Sequence, residues 1–297
     1  QGRNFNNKIW NAFRLVKGWQ VAEAEQPEAN TIAVRWFEAK LRQASLEIDD
    51  LFSKYRISEA LMTVYKLFWD EFSSWHLEMV KPAYGQPIDK KTYDATLGFF
   101  ENLLKMLHPF MPFITEELWQ HIYDRKNGES IMRVKLEIPA PTADDLKLVE
   151  DIENVKQIVA GVRTVRNQKN IANKDSLKLQ TVSENGFAAY DCVVMKMANL
   201  SSIDVVAEKD ATAAAFMVGT LEYAVPLGDM IDIAAEIEKQ VRENADRLLA
   251  AGKKGTVKPL EKPAVTPVAA EDASAAPMAD APKTTGSEMD LDIMVDE

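Results

Sequence analysis

Apolar residues recur at intervals of three and four through the first 125 residues, and that period restricts the chain to stacked amphipathic helices. Phe5, Ile9, Phe13 and Val16 form one stripe. Ala33, Phe37, Leu41, Ala44, Ile48, Leu51 and Tyr55 form a second, over six turns. Leu61, Val64, Phe68, Phe72, Trp75 and Met79 form a third, ending before Pro82. Leu97, Phe100, Leu104 and Leu107 mark a fourth helix, and a fifth begins after Pro112. Short loops, such as Tyr84-Gly85-Gln86-Pro87, join them, so the expected architecture is a helical bundle. Tryptophan and phenylalanine concentrate at the apolar positions and are expected mostly in its core.

Beyond residue 130 the period changes. Ile131 to Ile138 alternates apolar and polar, which predicts a strand or an extended edge, and Pro139 and Pro141 follow as a linker. Leu148, Ile152, Val155, Val159 and Val162 predict a long helix. Strands are expected over 176–182, 203–206, 215–218 and 221–226, with a helix over 187–200 and a hairpin at Gly219-Thr220. The fold class is therefore mainly α. A bundle over 1–140 precedes a small α+β module over 141–228. A charged, coiled-coil-like helix over 229–252 then leads into a tail over 253–297. From Glu261 that tail carries nine acids against two lysines, a net −7, with too little apolar surface to order it.

Composition narrows the function. The 297 residues carry a net charge of −11, so contact with a polyanion requires a local basic patch. A single cysteine, Cys192, excludes internal disulfides and a cysteine zinc cluster, and it reads as a small core residue. The histidines at 76, 108 and 121 lack ligand spacing, so no metal is expected. No apolar run approaches the roughly 20 residues of a membrane span. The start is neither a signal peptide nor Met, so Gln1 is expected to lie inside a longer polypeptide.

Two segments are basic. Residues 1–20 carry Arg3, Lys8, Arg14 and Lys17 with no acid, and asparagines stand at 4, 6, 7 and 11. Cations position a phosphate backbone and amides read base edges, although a solvated polar face explains the composition equally. Arg163, Arg166, Lys169, Lys174 and Lys178 form the second cluster at a helix end, where cations also favour the dipole. Residues 108–119, His-Pro-Phe-Met-Pro-Phe-Ile-Thr-Glu-Glu-Leu-Trp, read physically as a helix–helix corner. Pro109 and Pro112 stop one helix, and Thr115 caps the next with Glu116 and Glu117 in its first turn.

Residues 108–119 resemble a signature of the anticodon-binding helical domain of class I aminoacyl-tRNA synthetases, in particular the valyl family. Asn6-Asn-Lys-Ile-Trp-Asn-Ala12 is similar to the Asn-Lys-Leu-Trp-Asn-Ala motif that opens that bundle. Val162-Arg-Thr-Val-Arg-Asn-Gln-Lys-Asn-Ile171 is similar to a further valyl segment. The resemblance covers roughly residues 1–250 in the family's order. The single cysteine argues against the isoleucyl relatives, and the proline-phenylalanine segment of the leucyl relatives is less similar.

The resemblance implies an anticodon stem-loop-binding, non-catalytic portion of an enzyme that joins valine to its tRNA using ATP with Mg. Catalytic and editing domains would lie upstream in the same polypeptide, and the protein would be a cytoplasmic monomer. The adenylation signatures His-Ile-Gly-His and Lys-Met-Ser-Lys-Ser are absent from this chain. Candidate tRNA contacts are Arg3, Asn7, Lys8, Asn11, Arg14, Lys17, Arg163, Arg166, Lys169 and Lys174. The family's terminal arm departs here, because an acidic tail stands where a returning helix is expected. The alternatives are a helical scaffold that docks a protein partner, or the equivalent region of an isoleucyl or leucyl synthetase.

Overall fold

A computed structural model describes residues 2–182, 186–210 and 213–228. The helix expected over 229–252 and the tail over 253–297 lie outside the described residues. Helix α1 (Gly2–Lys17) buries Phe5, Ile9, Ala12 and Val16 along one face. Helix α2 (Glu28–Ser53) buries Trp36, Phe37, Leu41, Ile48 and Leu51. Helix α5 (Lys90–Leu107) starts at Asp89, whose carboxylate accepts the Thr92 N–H at 2.8 Å, and it contributes Phe100, Leu103, Leu104 and Leu107 to the core. Phe37, Phe68, Phe72 and Phe100 meet with ring centroids 5.2–5.8 Å apart, at tilted or edge-on angles favoured by the aromatic quadrupole.

The third apolar stripe forms one unbroken helical run with an unexpected interior. Helix α3 (Ile57–Lys66) passes through ten π-helical residues, Leu67–His76, into α4 (Leu77–Val80). The wider winding of a π turn rotates the buried face. His76 faces the core in place of the expected Trp75, which is left half-buried. Burial lowers the His76 imidazole to about pKa 3, and its Nε2 pairs with Thr96 Oγ1 at 3.2 Å.

Helix α6 (Pro112–Ile122) begins earlier than expected. Proline at the first helical position loses no hydrogen bond, so the helix starts there with Met111 as its cap residue. Thr115 is therefore inside the helix, where its hydroxyl donates to the Met111 carbonyl at 2.8 Å and pairs with His108 Nδ1 at 2.8 Å. Glu116 lies beyond the first turn and accepts from Ser130 Oγ at 2.7 Å and the Ile131 N–H at 3.2 Å. These bonds are accompanied by a short 3-10 turn, Ile131–Arg133, and the strand expected over 131–138 does not form. Only Ile131 is buried there, while Met132 and Val134 are exposed, so alternation alone finds nothing to pair with.

The long helix α7 (Ala143–Lys169) opens on a reciprocal capping box between Thr142 and Asp145. Arg42 joins it to α2 through Asp145 at 3.0 Å, and Lys156 joins it to the π-helical run through Glu71 at 2.5 Å. Its other side packs on a four-stranded sheet ordered β4 (Leu200–Val205), β3 (Leu177–Thr181), β6 (Leu221–Val225), β5 (Ala214–Val218). Strands β3 and β4 are parallel, and α8 (Asp191–Ala198) makes the crossover such a pair requires. Strands β5 and β6 form the expected hairpin, with Gly219 at φ +57° in its turn. Gly161 lets α7 approach β5 closely, since a Cβ there would sit 2.3 Å from the Phe216 ring. A two-residue parallel pair, β1 (Val21–Ala22) with β2 (Ile88–Asp89), ties the segment after α1 to the start of α5. One apolar cluster runs from Phe5 to Leu227.

Candidate nucleic-acid interface

Helix α1 presents two chemically distinct faces. Its apolar stripe is inside, and Arg3, Asn7, Trp10, Asn11, Arg14 and Lys17 are all exposed. Spacings of three and four place these six on one side of the helix over four turns. The helix has no acid in its first turn, and Arg14 and Lys17 lie in its last. Lys17 Nζ also donates to the Ile122 carbonyl at 3.2 Å, which fixes the end of α1 against the end of α6. Lys8 is half-buried and lies 5.0 Å from the centroid of Trp69. Burial pushes its ammonium down, partly offset by Glu78 and Asp70.

Trp10 is absent from the contacts expected from sequence, where tryptophans are expected mostly in the core. Its indole is 41% exposed in the middle of the polar stripe, three residues from Asn7 and four from Arg14. A helical projection of the polar residues is the signal that identifies it. An exposed indole between cations and amides offers a stacking surface for a nucleobase.

The second basic cluster divides. Arg166 is only 2% exposed, and its guanidinium donates to the carbonyls of Ala172, Asp175, Ala198 and Asn199 at 2.7–3.1 Å. Those bonds fasten the turn after α7 to the start of β4, so the Arg166 guanidinium is committed to backbone carbonyls as a structural pin. Lys169 is half-buried, while Lys174 is exposed just past the left-handed cap residue Asn170. Arg163 is exposed, donates to the Met197 carbonyl at 3.2 Å and lies 5.7 Å from the centroid of Trp75. Sequence spacing separates Lys8 from Arg163 by 155 residues, yet both act on the same carboxylate, Glu78.

Burial raises the Cys192 thiol, which disfavours the reactive thiolate. Among the described residues no group of histidine, cysteine and acidic side chains is placed to hold a metal ion. Among the same residues no helix is long and apolar enough to cross a membrane. A cleft of about 760 Å³ between α2 and α3 is lined by charges that largely pair with one another, Lys40 with Glu71 and Arg56 with Glu59.

Comparison with known proteins adds the family. The family model described as the anticodon-binding domain of tRNA ligase matches residues 34–181. A valine–tRNA ligase of Phocaeicola vulgatus is 62% identical over 239 residues, covering 80% of this chain and 27% of that protein. A valine–tRNA ligase of Parabacteroides distasonis is 61% identical over 244 residues, covering 82% and 28%. The more distant valine–tRNA ligase of Brucella suis is 31% identical over 252 residues, covering 81% and 28%. The chain thus spans little more than a quarter of the length of the curated relatives it matches. Residues 34–181 of the chain thus belong to the anticodon-binding domain family of tRNA ligases.

Proposed function

We propose that this chain is the tRNA-reading portion of a valine–tRNA ligase and that it seats the anticodon stem-loop on the exposed face of α1. The observation that carries the reading is the row of cations, amides and one indole on a single helix face within a protein of net charge −11. In this reading Arg3, Arg14 and Lys17 position phosphates, Asn7 and Asn11 bond to base edges, and Trp10 stacks beneath an unpaired base. Lys8 supplies a cation held in place by Trp69. Lys174 and Lys169 extend the basic surface beyond α7.

The parent enzyme would join valine to its tRNA with ATP and Mg in the cytoplasm, as a monomer. The residues of this chain do not fit a nucleotide site: it has no glycine-rich phosphate loop and neither adenylation signature. Its contribution is binding and orientation of the tRNA, alongside catalytic and editing domains of the same polypeptide. The identities to valine–tRNA ligases favour this over an isoleucyl or leucyl parent and over a protein-docking scaffold.

The test is a titration of valine tRNA against the chain across ionic strength. Affinity should fall by orders of magnitude between about 50 and 200 mM salt, as expected when several phosphates are neutralised. The double substitution Lys8→Glu, Arg14→Glu should weaken binding by tenfold or more. Absence of binding at low salt by the folded chain overturns the proposal.

A further inference from the structure

Phe113 belongs to the helix–helix corner at 108–119, yet it takes no part in the core: it is 90% exposed. Phe110, three residues earlier, stacks on Phe52 of α2 with ring centroids 6.0 Å apart. That contact joins the corner to the turn between α2 and α3. Tyr55, in that turn, is 88% exposed, and Ile57, which opens α3, is 43% exposed. Pro109 and Pro112 are exposed beside the phenylalanines. One end of the bundle therefore carries an apolar, aromatic surface that the described residues leave open to solvent.

Both loops fix the backbone beneath their rings. His108 Nδ1 pairs with Thr115 Oγ1 at 2.8 Å, and the Phe110 and Met111 N–H groups donate to the Leu107 carbonyl at 3.0 Å. After α2, the Tyr55 N–H donates to the Phe52 carbonyl at 3.0 Å and the Arg56 N–H to the Leu51 carbonyl at 2.8 Å, the two bonds of a Schellman cap. Such a cap puts one residue in the left-handed region, and Tyr55 sits there at φ +58°. Glycine takes that position at no steric cost, whereas a Cβ is strained in it. A strained tyrosine with its ring in solvent gains the bundle nothing, so its ring serves a contact outside the bundle.

Charge decides what kind of partner fits. Residues 50–59 balance Lys54 and Arg56 against Asp50 and Glu59, and each cation is ion-paired, Lys54 with Asp50 at 2.7 Å and Arg56 with Glu59. Residues 105–117 set Lys105 against Glu116 and Glu117, and Lys105 itself pairs with Glu101 at 3.6 Å. His108 is committed to Thr115. A phosphate backbone finds no net attraction at this end, whereas an apolar protein surface needs none.

The direction of α1 says which protein surface. Phe5 packs on Tyr65 and Phe68 with ring centroids 4.7 and 5.7 Å apart, and Lys8, further along α1, lies over Trp69, further along the run from α3. The two helices therefore run the same way, and Ile57 opens the second about 12 Å before Tyr65 at 1.5 Å per residue. The last turn of α1 meets the last turn of α6 through Lys17 and Ile122, and Phe113 is in the first turn of α6. The beginning of α1 thus points to the aromatic end. The chain spans little more than a quarter of its relatives' length. Building on its proposed place in a longer ligase, we infer that the aromatic end is the docking face for the domain that precedes α1 in that polypeptide. Phe113 and Tyr55 are its anchors, seated in apolar pockets of that domain.

Hydroxyl-radical footprinting read by mass spectrometry tests this on the unmodified chain and on the parent ligase. Tyr55 and Phe113 should oxidise about fivefold more slowly in the ligase, as rings do on entering an interface core, and Trp10 alike in both. Valine tRNA should protect Trp10 and leave Tyr55 and Phe113 unchanged. Equal oxidation of Tyr55 and Phe113 in the two proteins would overturn the docking face. Their protection in the chain by tRNA would overturn it in favour of an RNA platform, and protection on raising the chain's own concentration in favour of a contact between copies. Function is read from the pair Tyr55→Gly, Phe113→Ser. The variant chain should bind tRNA as the unmodified chain does and unfold at no lower urea, since glycine relieves the strain at position 55. The ligase carrying the pair should charge tRNA with kcat/KM lowered about tenfold, because a loosened tRNA-reading domain misplaces its substrate. Undiminished charging would overturn the two rings as anchors. A chain that binds no tRNA would remove the α1 reading and leave the footprint to decide this one.

Discussion

Replacing Arg166 by alanine separates the two roles that a basic residue at the end of α7 can have. The guanidinium reaches four carbonyls, and the bond to Ala198 is fully buried while the others are partly so. A buried carbonyl left without a donor costs about 1–3 kcal/mol, and each partly wet bond contributes about 0.5–1. Together these put the loss near 4 kcal/mol, within the range seen when one member of a buried polar network is removed. With a urea dependence of about 3 kcal/mol per molar for a chain of this size, the unfolding midpoint should fall by about 1.3 M. Arg166→Lys should recover part of this, since one ammonium cannot reach all four carbonyls. The assay is urea unfolding followed by tryptophan fluorescence, paired with tRNA titration of the folded protein. A midpoint that hardly moves, together with a large loss of tRNA affinity, would refute the structural assignment.

Other substitutions test separate parts of the account. Trp10→Ala should leave the unfolding midpoint nearly unchanged, because the indole is 41% exposed, and should weaken tRNA binding by the roughly 1–3 kcal/mol of one lost stack. Gly161→Ala should destabilise the chain by about 1–3 kcal/mol although alanine favours helices, because its Cβ would collide with Phe216. Combining it with Phe216→Leu should recover most of the loss in a double-mutant cycle. His76 is held neutral by burial, with its pKa lowered from 6.5 to about 3. Between those values the unfolded chain binds the proton that the folded chain rejects. The stability this group contributes is therefore complete above about pH 6.5 and is lost as pH falls toward 3. Unfolding midpoints measured from pH 7 to 4 should show that slope, and it should be reduced in His76→Gln.

The helices were legible because their apolar stripes are long. Phe5, Ile9 and Val16 or Leu97, Phe100 and Leu104 each mark a buried face that no strand period reproduces. Strands β3, β5 and β6 were legible from alternation bounded by turn residues. The π-helical run was not, since its apolar residues fit an ordinary helix until tertiary packing selects His76 over Trp75. Alternation misled at 131–138, where Glu116 accepts from Ser130 and Ile131 and no strand forms alongside. For the proposed interface, charge singles out the α1 face but cannot tell Arg163 from Arg166, three residues apart on one helix. Burial alone makes that distinction, and it turns one of them into a pin for backbone carbonyls. Trp10 was hidden by the general preference of tryptophan for cores.

The claim that the bundle reads the anticodon arm is tested most directly by changing the RNA. Affinity of the chain for valine tRNA should be compared with that for the same tRNA carrying an unrelated anticodon loop on an unaltered stem. The account predicts weaker binding to the altered tRNA, with the difference abolished in a Trp10→Ala, Asn11→Ala chain. Equal affinity for the two RNAs would contradict it.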